Sequence, residues 1–300
     1  MSLVSVIIPT YKRSDNLARA IDSVREQTYN EIEIIVVDDN DADSIYRKST
    51  EELMNKYIKN KKIIYIQHEE NSNGAVARNN GINASTGEYI AFLDDDDQFL
   101  PSKIEEQMNY LNLHKKYDAC YCFCMKYKDN LHFYSTTYDK EGNPSIDILA
   151  LKSEIYTPSL IFKKKALLDI GGFNENFKRH QDYEILLKYL EKYELGCVNK
   201  SLAIVHVDDT FNHPKLIEYE KIKNLFFDTF SNNISQYEKQ IQDRIYREHY
   251  FELFFISFKQ FNLIKSVKYL IKAKPTLKFL YENKKKIVKI LKKSLLRRKR

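Results

Sequence analysis

At 300 residues, 43% of them hydrophobic and 30% charged, with only 7 glycines and 6 prolines, the chain has enough apolar material for a sizeable core. That composition excludes a fibrous or low-complexity protein. The net charge of +6 is unevenly placed: residues 259–300 hold 16 Lys and Arg against Glu282 alone, which leaves the first 258 residues at −9. An acidic body argues against nucleic acid as a partner, and a basic tail points to an anionic one.

The apolar run 4–8 stops at Pro9, too short for an export-signal core. No stretch reaches the roughly 18 apolar residues of a spanning helix. Nothing demands a disulfide, so the expectation is a soluble or peripheral cytoplasmic protein. In chain order, residues 3–8 read as an apolar strand, followed by a helix capped by Ser14 with Leu17, Ala20, Ile21 and Val24 at helical spacing. A second strand over 32–37 runs into Asp38 and Asp39. A polar helix follows near 44–59, then a third strand over 63–67, a short helix over 74–84 and a fourth strand over 88–93. Near-continuous apolar strands separated by helices predict a mostly parallel α/β sheet covered on both faces. Further on, a helix can begin at Pro101, and 118–128 alternates like a strand. Cys120, Cys122 and Cys124 recur at spacing two, which suits one strand face better than a zinc site. Strands are also expected over 158–162 and 197–207, a helix over 182–194, and helices only from about Pro214. The domain boundary falls at 212/213, giving an α/β domain over 1–212 and a helical region over 213–300.

Ligands of an open parallel sheet bind beyond the carboxyl ends of its strands. Pro9, Thr10 and Tyr11 follow the first strand, Asp38, Asp39 and Asn40 the second, and Asp94, Asp95, Asp96 and Asp97 the fourth. Four adjacent carboxylates at the end of a buried strand repel one another, and a hard divalent cation relieves that repulsion. Mg2+ or Mn2+ held this way keeps open positions for a diphosphate. No Gly-x-Gly-x-x-Gly or Gly-x-x-x-x-Gly-Lys motif is present, which argues against dehydrogenases and P-loop enzymes.

Four blocks carry a family resemblance: Val4-Ser-Val-Ile-Ile-Pro-Thr-Tyr11, Ile34-Ile-Val-Val-Asp-Asp39, Gly74-Ala-Val-Ala-Arg-Asn-Asn-Gly81 and Gly87-Glu-Tyr-Ile-Ala-Phe-Leu-Asp-Asp-Asp96. In order and spacing they resemble the family-2 glycosyltransferases, whose fold is GT-A, and the match spans about 3–208. The resemblance implies a nucleotide site made by Pro9, Thr10, Tyr11, Asp39, Arg78, Asp94 and Asp95, with Tyr11 against the base and Asp39 accepting from a ring N–H. It implies a metal, Mn2+ or Mg2+, on Asp94 and Asp96, and on His206 at the end of a late strand. The segment from Phe173 to Asp182 resembles the acceptor side, where many members carry Glu-Asp; here the pair is Gln181-Asp182, so Asp182 is the implied catalytic base. The bland reading of Asp182 is a helix N-cap. The chain has no Trp, hence no Gln-x-x-Arg-Trp motif of the processive relatives. The resemblance therefore implies inverting transfer of a single hexosyl or N-acetylhexosaminyl unit from a nucleotide sugar, with UDP as the default nucleotide. The implied acceptor is a glycan or lipid-linked hydroxyl in surface-polysaccharide synthesis. A phosphatase or nucleotidyltransferase on the same aspartates, and a non-catalytic scaffold, are the rival classes.

In the tail, Leu280, Ile287, Ile290, Leu291 and Leu295 lie at helical spacing among lysines and arginines. This pattern predicts an amphipathic helix on an anionic membrane surface, the inner face of the plasma membrane; the rival is packing on the body or in a homo-oligomer. A chain cut after about Lys274 is expected to keep its fold.

Overall fold

The computed structural model describes residues 1–59, 62–207, 215–284 and 288. By internal packing the chain divides into two units, Met1–Ser145 with Ser153–Phe211, and Ile146–Lys152 with Asn212–Arg300.

The first unit opens with strict alternation: β1 (Val4–Thr10), α1 (Ser14–Arg25), β2 (Ile32–Asp38), α2 (Ile45–Met54), β3 (Ile63–Gln67), α3 (Gly74–Ala84) and β4 (Tyr89–Phe92). β1 runs parallel to β2 and β4, and β2 parallel to β3. All of β2 and β4 is buried, as expected of strands covered on both faces. One cover is α3, which sits so close to β1 that a Cβ on Gly81 would fall 2.4 Å from Ile7 Cγ2. Ser14 does not cap α1. It is the first helical residue, and Arg13 occupies the cap position without a side-chain cap bond. Ser44 does cap α2, its hydroxyl accepting from Arg47 N at 3.1 Å. That helix ends at Met54, short of residue 59, and Tyr57 beyond it turns its hydroxyl to Asp22 at 3.1 Å.

Past β4 come β5 (Gln98–Phe99), α4 (Lys103–Leu113), β6 (Ala119–Lys128), β7 (Leu131–Ser135), α5 (Ser145–Leu149), β8 (Leu160–Lys163), α6 (Lys164–Asp169), α7 (Gln181–Leu190) and β9 (Leu195–His206). The sheet order is β3-β2-β1-β4-β8-β6-β9-β5, with β7 on β6. The second half is mixed: β8 is antiparallel to β4 and β6, β5 is antiparallel to β9, and β6 is parallel to β9. Cys120, Cys122 and Cys124 are free, fully buried and packed into one apolar cluster, as their alternation predicts.

The second unit is helical: α8 (Leu216–Ser235), α9 (Lys239–Lys259), α10 (Leu263–Ala273) and α11 (Leu277–Glu282). Phe251, Phe255, Ala273 and Phe279 form one of its cores, with Phe279 edge-on to Phe251 at 4.8 Å. Ile146–Lys152, a segment from the middle of the sequence, belongs to this unit. Buried His249 meets the Leu149 carbonyl through Nε2 at 2.8 Å, Arg244 pairs with Asp147 at 3.2 Å, and Lys152 with Glu248 at 2.7 Å. Among the described residues no helix is long and apolar enough to cross a membrane. The expected tail helix lies outside the described residues from 285 on, Val288 apart.

Candidate active site

Strand register explains why distant motifs meet. Thr10 pairs with Asp38 and Ile7 with Phe92, so β1, β2 and β4 end at one edge of the sheet. Two backbone bonds extend the alignment, Asp39 N to Thr10 O at 2.9 Å and Leu93 N to Ile7 O at 3.0 Å. The four aspartates that follow β4 then divide by direction. Asp95 turns inward and accepts from Thr10 Oγ1 at 2.8 Å, Tyr11 N at 3.3 Å and Arg13 Nη1 at 3.3 Å. Asp97 is also buried and accepts from His206 N at 2.9 Å. Asp94 and Asp96 keep side-chain exposures of 35% and 22%; Asp94 pairs with Arg78 and Asp96 with Arg13. Arg19 donates to the Asp96 carbonyl at 2.8 Å.

These groups strain against one another electrostatically. Burial, reinforced by the charge of Asp96, pushes Asp95 up to about 7. Asp97 is raised well above the carboxylate range by burial and by Asp94 and Asp96. Asp96 is raised by burial and then by Asp94. Three guanidinium groups do not fully compensate four crowded carboxylates. The outward pair, Asp94 and Asp96, supplies the hard oxygen donors that Mg2+ or Mn2+ prefers, and a cation there would relieve the repulsion. The residues therefore fit a hard divalent cation held by two carboxylates together with ligand oxygens.

His206 does not complete a protein cage. Among the described residues no group of three His, Cys, Asp or Glu side chains is placed to hold a metal, so Asp94, Asp96 and His206 are not assembled as a ligand trio. The cause is the pairing of β9 with β5. It ties the His206 backbone to Asp97, while the ring Nε2 meets Gln98 Oε1 at 3.2 Å.

The segment expected to form the acceptor side joins this edge through Arg78. Its Nη1 reaches Gln181 Oε1 at 2.5 Å and the Gly74 carbonyl at 3.3 Å, while Nη2 reaches Asp94. Gln181 opens α7 and His180, in the left-handed region at φ 60°, is its N-cap. Asp182 is thus one residue inside the helix and is not its cap; its carboxylate accepts from Tyr183 N at 3.0 Å. Burial, with Asp94 nearby, pushes Asp182 up to about 6.

The remaining expected residues fall around this centre. Pro9 is a half-buried member of β1, and Tyr11 is 37% exposed with Lys12 Nζ 4.7 Å above its ring. Asp39 is buried and fully occupied. One oxygen meets His68 Nδ1 at 2.8 Å and Ser72 N at 2.8 Å, the other Asn71 Nδ2 at 2.8 Å and Asn73 N at 3.0 Å. A carboxylate has about four acceptor directions. For Asp39 to accept from a base N–H, one of these donors must give way. Sequence reasoning missed Arg13 and Arg19, and named Gln181 only as the variant residue of the Glu-Asp pair, without a contact of its own. The signal for the two arginines was available in the motif layout, since Arg13 stands two residues after Tyr11 and Arg19 lies on the helix leaving the same strand end.

With this geometry in view, comparison with known proteins gives a consistent result. The sequence profile described as Glycosyl transferase family 2 matches residues 5–170. An uncharacterized glycosyltransferase of Rickettsia typhi is 37% identical over 199 residues, 63% of this chain and 58% of the relative, so the chain spans less than two thirds of that relative's length. The amylovoran biosynthesis glycosyltransferase AmsB of Erwinia amylovora is 27% identical over 201 residues, 61% of this chain and 62% of its own. Among solved structures, S. aureus TarS 1–349 in complex with UDP-GlcNAc superposes with a TM-score of 0.68 at 18% identity, covering 89% of this chain and 79% of that one. Mannosyltransferase PcManGT from Pyrobaculum calidifontis, in complex with GDP-Man and Mn2+, gives a TM-score of 0.60 at 16% identity, covering 97% and 81%. At such identities the likeness speaks for the fold.

Proposed function

The chain belongs to glycosyl transferase family 2, and on that premise we propose that it transfers one sugar, with inversion, from a nucleoside-diphosphate sugar to an acceptor hydroxyl. The observation that carries this reading is the Arg78 bridge. One guanidinium joins Asp94, in the acidic cluster, to Gln181, the neighbour of Asp182. Donor-side charge and a candidate base thus share one centre. Asp182 takes the proton of the acceptor hydroxyl, whose oxygen then forms a bond to the anomeric carbon from the face opposite the nucleotide. The bond from that carbon to the diphosphate oxygen breaks, and the electron pair leaves with the nucleoside diphosphate. A divalent cation on Asp94 and Asp96 would neutralise the charge developing on the diphosphate. Arg13, Arg19 and Arg78 surround that position with further positive charge, and Tyr11 offers an exposed ring to the base.

UDP is the proposed nucleotide and Mn2+ or Mg2+ the proposed metal, supported by the UDP-GlcNAc of the TarS complex and the Mn2+ of the PcManGT complex. The AmsB likeness supports a surface-polysaccharide role with a glycan or lipid-linked acceptor. A donor-hydrolysis screen across UDP-, GDP- and dTDP-sugars, with and without Mn2+, tests the reading. Turnover is expected with a UDP-sugar and only with metal; no turnover of any nucleotide sugar, with or without acceptor extracts, counts against it.

The reading extends to a cytoplasmic enzyme lying on the inner face of the plasma membrane. Its support is the outward face of α10, where Ile264, Val267 and Ile271 are 86%, 58% and 68% exposed, beside exposed Lys268 and Lys272. An apolar strip bordered by lysines complements an anionic bilayer. The cut expected after Lys274 would remove Phe279 from its core, so the test truncation belongs after Lys284. That cut deletes nine Lys and Arg. Near an anionic surface each is worth about 1 kcal/mol, so binding to phosphatidylserine vesicles is expected to fall more than tenfold, and Ile264→Ser with Ile271→Ser to weaken it further. Unchanged vesicle binding together with a shift from oligomer to monomer in light scattering assigns these surfaces to self-association instead.

A further inference from the structure

We propose that Arg13 is a built-in cation that occupies the metal-binding carboxylates before the donor arrives, and that it gives way to the divalent metal and turns to the diphosphate. The inference rests on the metal-dependent reading above. Three guanidinium groups face the acidic cluster, and they are held differently. Arg78 is 8% exposed and tied to Gly74 O, Gln181 Oε1 and Asp94. Arg19 is fixed to a backbone carbonyl, that of Asp96. Arg13 reaches carboxylates, Asp95 and Asp96, and its side chain keeps 30% exposure. Its backbone is delivered there by an unusual turn. Lys12 takes φ 61°, a left-handed conformation costly for a residue with a Cβ, and its N–H is pinned to Asn40 Oδ1 at 2.9 Å. That bend separates the end of β1 from α1 and sets Arg13 at the helix cap position, over the end of β4.

A guanidinium and a divalent cation cannot share the same carboxylate lone pairs, because they repel each other and compete for the same electrons. Arg13 meets Asp96 at Oδ2, so a metal that takes this oxygen displaces it, whereas Arg78, tied also to Gly74 O and Gln181 Oε1, can stay while a metal takes the other oxygen of Asp94. The released guanidinium then lies within reach of the same crevice, where a diphosphate brings two or more negative charges. The planar fork of Arg suits phosphate oxygens. Arg13 would keep the carboxylates in order while the site is empty and make metal binding favourable chiefly when nucleotide comes with it.

The two roles give effects of opposite sign, which a merely structural role would not. Mn2+ binding to the full chain is followed by electron paramagnetic resonance, first without nucleotide. Arg13→Ala is expected to bind bare Mn2+ roughly tenfold more tightly than the unaltered chain, and to bind UDP in saturating Mn2+ roughly tenfold more weakly, a coupling of ordinary size. Arg13→Lys, which keeps the charge, is expected to lie between them on both measurements. Arg13→Gln serves as the neutral variant should the alanine protein fail to give a normal melting transition. If the neutral variants bind bare Mn2+ no more tightly, or more weakly, the proposal is overturned and Arg13 only braces Asp95. If the unaltered chain binds no Mn2+ even with UDP present, it is the metal reading itself that falls.

Discussion

Sugar transfer by Asp96→Ala is expected to drop about a thousandfold, the upper end of what losing one charge-stabilising contact costs. Asp96 is the outward carboxylate that faces Arg13, and with Asp94 it forms the partly exposed pair that remains once Asp95 and Asp97 have turned inward. On the proposed mechanism, removing it deprives the leaving diphosphate of the cation that would neutralise it. Asp94→Ala is expected to do nearly as much, with the added loss of Arg78's anchor. EDTA should silence the unaltered protein, and Mn2+ or Mg2+ should restore it. The measurement is product formation at saturating donor; full activity in chelator sinks the metal-dependent mechanism. A melting curve on each variant separates lost chemistry from lost fold.

Asp182→Asn keeps the shape of the side chain and its bond from Tyr183 N, but it cannot take a proton. Transfer is expected to fall about a hundredfold or more, the range for a lost general base, while UDP affinity stays unchanged. The pH profile gives an independent reading. Burial holds Asp182 at about 6, and a base works only when deprotonated. kcat/KM should therefore fall about tenfold per pH unit below that point and level off above it. The Asn variant should lack this limb. Near-normal transfer by Asp182→Asn would falsify the assignment and put the base elsewhere.

The parallel half of the fold was legible because burial on both faces writes an unbroken apolar run: β2 and β4 are buried along their whole length. α3 was readable to the residue because Asn73, Gly74 and Ser85 punctuate its ends, and β3 because its apolar run is bounded by Lys62 and His68. β5 was not legible, since two residues carry no periodicity, nor was β7, whose residues are mostly exposed and so show no apolar alternation. The mixed strand directions were equally hidden, because β8, antiparallel to both its neighbours, is as apolar as the parallel strands β1 and β2. At the site, Asp94, Asp95, Asp96 and Asp97 were visible as a run. Their division into inward and outward pairs depends on partners 82 to 109 residues away, Arg13 and His206, which no local pattern encodes. Asp39 shows the same limit from the other side. Its motif suggested a ligand contact, whereas its geometry shows four protein donors.

The segment Ile146–Lys152 has a consequence for how the chain is made. Asp147 lies 97 residues ahead of its partner Arg244, and Leu149 lies 100 ahead of His249. At roughly 5–20 residues per second, synthesis leaves about 5–20 s between the emergence of this segment and that of the helix that receives it. During that interval Ile148, Leu149 and Ala150, fully buried in the finished molecule, lack the helices of their own unit. The strands on either side can close the first unit with this short apolar stretch held out as a loop between Ser145 and Ser153. The order of translation thus makes the helical unit the last to be completed, and makes these few residues the place where a nascent chain is most exposed to a chaperone or to another unfinished copy of itself.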